Sequence, residues 1–177
     1  MQKGFVKQLV LLSLFIAMAT ILTIIEGRIA PLASIFMGMP VKLGLANIFT
    51  LTTLNMFGLK SGFAVGVMRV ILASLLSGKF LSPVFYLSLG GAIVSTLSMA
   101  IAMKLFNKHL SNIGISIIGA ITHNLAQIAV VIYLLDTRLA AISQPLLIAL
   151  AIPTGIFVGI STNFITKALN GAKIAGK

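Results

Sequence analysis

The chain has 177 residues, of which 59% are hydrophobic and only 8% charged. Soluble domains carry about 25% charged residues, so this chain cannot cover a water-facing surface, and a soluble enzyme and a disordered tail are both excluded. It has no cysteine, which removes disulfide scaffolds, thiolate metal sites and cysteine-ligated iron–sulfur clusters.

Thirteen Lys and Arg stand against two acids, Glu26 and Asp136, for a net charge of +11. A nucleic-acid-binding surface gathers its bases into a patch. Here they stand singly between apolar runs, the pattern of loops in a polytopic membrane protein. Nucleic acid is therefore not an expected partner; membrane lipid is.

The charges divide the chain into apolar segments. Gln8–Ile25 holds 18 uncharged residues and ends in Glu-Gly-Arg with no Ala-x-Ala cleavage site, so it reads as a retained first span rather than a signal peptide. Residues 43–59 form the second predicted span and 61–78 the third, interrupted only by Arg69. Lys60, flanked by Gly58 and Gly62, predicts a tight hairpin between them. Residues 83–103, 114–135 and 142–166 complete the set. A bilayer core takes about 20 residues of helix, and backbone groups in lipid must be satisfied internally. The expectation is an all-α, single-domain membrane protein with six transmembrane helices.

With both termini inside, eight Lys fall on the cytoplasmic side and four bases, Arg28, Lys42, Lys79 and Arg138, on the outer side. The positive-inside rule then places the chain in the cytoplasmic (inner) membrane with cytoplasmic termini. Residues 26–42 form a long outer loop carrying Pro31, Phe36 and Pro40. It reads either as a gate folded over the bundle or as a segment lying in the headgroups.

Polar groups inside the spans mark where function should lie. Arg69 stands nine residues past Lys60, roughly 13 Å into the membrane. It stays protonated and needs an anion, carbonyls or water. It reads as a counter-ion for an anionic or strongly polar ligand, or as a structural partner of loop carbonyls or of Glu26. His123 sits at similar depth on the fifth span. Ser116, Gly119, His123 and Gln127 recur at helical spacing, a polar face opposite Ile121, Leu125, Ile128 and Ile132. Asn124 is turned by about a hundred degrees from His123. On the second span Asn47 lies near the outer end, and Asn55 is expected deeper, level with Arg69. Lys42 stands at the outer mouth, where it either attracts an anion or snorkels. Ser13-x-x-x-Ala17, Gly62-x-x-x-Gly66 and Gly155-x-x-x-Gly159 permit close helix approach.

No paired carboxylates, Asp-rich magnesium site or P-loop is present. The chain is not expected to be an enzyme, nor to hold a metal ion or a cofactor.

The first span ending in Glu26, Met39-Pro-Val-Lys-Leu-Gly-Leu-Ala-Asn-Ile48, Arg69, and His123-Asn124 together resemble one membrane family. It is the family called both Gx transporter and heptaprenyl diphosphate synthase component I, and the resemblance covers nearly the full length. That family is similar in turn to the substrate-binding S components of energy-coupling factor (ECF) transporters. The S-component resemblance implies a six-helix bundle that binds a vitamin-like ligand under the loop joining spans one and two. It also implies docking on a transmembrane coupling subunit served by two cytoplasmic ATPases. Such docking commonly uses Ala-x-x-x-Ala on span one, where this chain has Ser13 and Ala17. The synthase name implies instead a non-catalytic membrane component handling an isoprenoid or a quinone. A third reading is a structural protein whose Arg69 only ties helices together.

Overall fold

A computed structural model describes residues 2–37, 44–106, 110–135 and 144–171. They form five helices: α1 (Gln2–Met37), α2 (Asn47–Leu76), α3 (Pro83–Leu105), α4 (Asn112–Leu135) and α5 (Gln144–Gly171). Among the described residues, five helices are long and apolar enough to cross a membrane. All of them present large apolar side chains outward, from Val10 and Leu14 on α1 to Phe157 and Ile160 on α5. A water-soluble chain does not carry such a surface; a multi-pass membrane protein does.

The α2 helix turns back on itself. Gly58 breaks it with φ 79° and ψ −172°, a conformation essentially confined to glycine. The two arms, residues 47–57 and 59–76, then pack antiparallel. Three pairs read in order along them. Leu54 lies against Gly62, Thr50 against Gly66, and Asn47 holds Arg69. The small-residue repeat at Gly62 and Gly66 is therefore the surface on which the first arm rests.

The expected hairpin at Lys60 is present, while among the described residues five helices, rather than the expected six, are long and apolar enough to span a membrane. The first arm has eleven helical residues, about 16 Å, which is half of a bilayer core of about 30 Å. The 17-residue uncharged run 43–59 loses its start to a turn at Gly44, whose φ is 66°. Asn47 N–H and Ile48 N–H close that turn on the carbonyls of Gly44 and Leu45.

Helix α1 corrects a second expectation. It continues without a break through Glu26, Arg28, Pro31 and Phe36 to Met37, where a loop was expected. A charge marks the edge of an apolar run, but it does not interrupt backbone hydrogen bonding. The 36 helical residues reach about 54 Å, well beyond the hydrocarbon.

The remaining helices begin and end close to the expected limits. At the end of α2, Gly78 takes the left-handed conformation, with Gly78 N–H on Leu75 O and Lys79 N–H on Ser74 O. This is a Schellman stop. Ser82 then caps α3 through Phe85 N–H, with Pro83 in the first turn.

Helices α2 to α5 close a ring, each on the next and α5 back on α2, while α1 lies along α2 outside it. Between α4 and α5, Gly155 and Gly159 admit the backbones of Ile117 and Ile113, and the Ser116 hydroxyl donates to the Gly155 carbonyl. The first arm of α2 stands in the middle. Eight successive residues, Asn47 to Leu54, are buried on every side. Phe15 of α1 stacks on Phe49 at 5.7 Å. Met99 of α3 and Ile115 of α4 pack with Leu51 and Leu54, and Thr162 of α5 donates to Ile48 O. Antiparallel packing puts Lys7, Lys60, Lys104 and Lys167 at one end of the molecule, here the Lys60 end. The α2–α3 turn with Lys79 marks the other, the Lys79 end.

Candidate functional site

The polar cluster forms where α1 and both arms of α2 meet. Arg69 projects from the second arm and is 5% exposed. Its Nη1–H donates to Thr23 Oγ1 at 3.2 Å and its Nη2–H to Asn47 Oδ1 at 2.8 Å. Thr23 and Asn47 come from different helices, so the guanidinium ties three segments together. Its Nε is buried with no partner, and so is Thr50 Oγ1, one turn along the first arm.

Glu26 completes the cluster. It stands one turn beyond Thr23 on α1, is 8% exposed and attracts Arg69 electrostatically. Its Oε1 accepts Leu45 N–H at 2.6 Å, immediately before the N-terminus of the first arm. A carboxylate at that position meets the positive end of the helix dipole. Glu26 thereby fixes the turn that delivers Asn47 to Arg69.

The depth of this cluster follows from the hairpin register. Arg69 lies seven residues before Leu76, about 10 Å below the Lys79 end of its helix. The first arm begins at that same level.

Other expected site residues fall elsewhere. Asn55 is not level with Arg69. It lies near the Gly58 turn and donates to Asn112 Oδ1 at 3.0 Å, and Asn112 donates to Asn163 Oδ1 at 2.6 Å. This chain links α2, α4 and α5 toward the Lys60 end. His123 stands on α4 with its ring on the bare backbone of Gly91 of α3, so close that a Cβ there would meet Cε1 at 2.7 Å. Gln127 Nε2 lies 3.1 Å from His123 Nε2. Through Gly91 and the Gly66–Thr96 pairing, His123 sits within about two residues of the level of Arg69. The two side chains nonetheless belong to different interfaces, Arg69 to α1–α2 and His123 to α3–α4. Asn124 is half-buried on α4.

The face expected to meet lipid on α4 needs one change. Leu125 and Ile132 are exposed, whereas Ile128 is buried. Ser13 and Ala17 are exposed on α1. Pro31 and Phe36 lie within the α1 helix, while Pro40 and Lys42 lie outside the described residues. Among the described residues, no group of three His, Asp or Glu could hold a metal ion.

Four participants escaped the sequence reading: Thr23, Thr50, Asn112 and Asn163. Thr23 carried a signal, its position three residues before Glu26 on a helical face. The others become visible only when the α2 hairpin is in register.

A family model described as heptaprenyl diphosphate synthase component I matches residues 15–165. No curated protein matches the chain, and no solved structure matches it.

Proposed function

The chain belongs to the heptaprenyl diphosphate synthase component I family, and on that premise we propose that it is a non-catalytic membrane subunit that captures a small polar ligand. The ligand enters from the Lys79 end, which the Lys and Arg distribution assigns to the outer side. It reaches the cluster of Arg69, Asn47, Thr23 and Glu26. One observation carries this reading: a buried guanidinium, with a donor still unmet, stands about 10 Å below the Lys79 end of its helix. Buried charge of this kind is costly in a membrane and marks function more often than structure. The turn at Gly44 borders the cluster, and His123 with Gln127 forms a second polar patch at similar depth.

Uptake follows if the loaded and empty forms dock differently on a coupling subunit. The exposed Ser13 and Ala17 strip of α1 is the docking surface in this reading, and cytoplasmic ATPases drive the cycle. The family description favours a second reading, in which the same subunit presents an isoprenoid or quinone to a synthase partner within the membrane.

Purification from the native membrane in mild detergent, with mass spectrometry of co-eluting molecules, separates the two. A coupling subunit with ATPases and a water-soluble ligand supports uptake. A synthase partner with bound quinone or prenyl phosphate supports the second. A folded Asn47→Leu protein should lose the small molecule. Retention by that variant, or a wild-type protein that carries none, overturns ligand capture at this cluster.

A further inference from the structure

The cluster around Arg69 already contains its own counter-ion. Thr23 and Glu26 are one turn apart on α1, and Leu45 is two residues ahead of Asn47. Arg69 is bonded to Thr23 and Asn47, and Glu26 to Leu45. The guanidinium is thus enclosed between the two segments that Glu26 joins. Among the described residues of the cluster, one buried cation and one buried anion sum to zero before any ligand arrives. A further ion entering this low-dielectric site would lose its hydration and gain no net counter-charge. An anion would in addition meet the Glu26 carboxylate.

The unmet groups have a different chemistry. Arg69 Nε–H is a donor, and Thr50 Oγ1 is a hydroxyl that can donate. In a guanidinium, Nε–H and Nη2–H lie along one planar edge. The open donor therefore shares an edge with Nη2, the nitrogen that is bonded to Asn47 Oδ1.

We propose that this edge of Arg69 is a subsite for an uncharged oxygen acceptor, a carbonyl, ether or hydroxyl oxygen of the ligand, and that Glu26 sets this specificity by excluding anions. The proposal rests on the ligand-capture reading and narrows it. The group recognised at Arg69 is neutral, although an isolated arginine would select a carboxylate or phosphate.

Saturation-transfer NMR of formate on the full chain in detergent tests the charge argument directly, because formate is a small carboxylate that matches the guanidinium edge. Wild type should show no Arg69-dependent binding. Glu26→Gln keeps an oxygen for Leu45 N–H and leaves Arg69 uncompensated; it should bind formate at least about tenfold more tightly. The double variant Glu26→Gln with Arg69→Gln should lose that gain. Formate binding by wild type that Arg69→Gln abolishes overturns the proposal, as does a folded Glu26→Gln protein that gains nothing. If Glu26→Gln does not fold, the small molecule retained by wild type decides. A ligand that is uncharged where it meets Arg69 supports the proposal, whereas an anionic group crosslinked or resolved there overturns it. A protein that retains no ligand, while Glu26→Gln acquires formate, retires ligand capture but leaves the exclusion of anions by Glu26 intact.

Discussion

Replacing Arg69 by Met removes the donors to Thr23 and Asn47 and takes away the cation that attracts the buried Glu26. Breaking a buried pair from one side costs about 3–5 kcal/mol, because the remaining charge has no partner. Glu26→Gln strands Arg69 in the same way, though Thr23 and Asn47 still bond to it, so its cost should fall near about 3 kcal/mol. Making both changes removes both charges, and the loss should be smaller than the singles predict by about 2–3 kcal/mol. The chain has no tryptophan, so the assay is far-UV circular dichroism during a denaturant titration in mixed micelles. The coupling should change little with salt, since a buried pair is poorly screened. Singles that add to within about 0.5 kcal/mol would refute the pairing, and with it the neutral cluster on which the ligand class depends.

The hairpin and the helix contacts give further expectations. Gly58→Ala forces a side chain into a glycine-only conformation and should cost about 1–3 kcal/mol in the same titration. Gly159→Leu drives a side chain into the backbone of Ile113, only 2.5 Å from the position of a Cβ, and should separate α4 from α5 at a cost of about 1–3 kcal/mol or more. Asn112→Ala breaks both links of the Asn55–Asn112–Asn163 chain and should cost roughly 0.6–1.7 kcal/mol per link. The chain has no cysteine, so single cysteines at Lys60 and Lys79 report on topology without background. A membrane-impermeant maleimide should label them from opposite sides, and same-side labelling would refute the hairpin as a membrane-crossing unit.

Charge spacing made most helix limits legible. Pro83 with Ser82, and the glycines around Lys60, carry local stop and start signals that need no tertiary information. The length of the first α2 arm was not legible. A run of 17 uncharged residues has the same composition whether it crosses the bilayer or enters half-way from one face. The reach of α1 was hidden for a related reason. Glu26 and Arg28 look like a boundary, yet Glu26 is buried within the helix and spends its carboxylate on Leu45. Arg69 was visible as a buried cation from its surroundings alone. Its partners depend on the register of α1 and of both α2 arms. Asn47 and Asn55 do lie along one buried arm, as their spacing implies, but the pairing of the arms sends one to Arg69 and the other to Asn112.

The two ends of that buried arm are held by different kinds of bond, and the difference bears on mechanism. Toward the Lys60 end, neutral amides on α2, α4 and α5 link neighbouring helices directly, and Leu54 fills the bare face of Gly62. Opening this end means separating ring helices. Toward the Lys79 end, the arm is tied to α1, which lies outside the ring, through Glu26 and Leu45, and through Arg69 between Thr23 and Asn47. Shifting α1 or the turn at Gly44 alters those bonds and leaves the α2–α5 ring intact. A ligand that offers an oxygen to the unmet Arg69 Nε–H would satisfy a buried donor there without breaking the bonds to Thr23 and Asn47. The chain is thus built to respond at the Lys79 end and to resist at the Lys60 end. In the uptake reading proposed above, passage of a ligand would require work on the Asn112 linkage that binding at Arg69 would not supply, which is the physical reason to look for a partner that drives it.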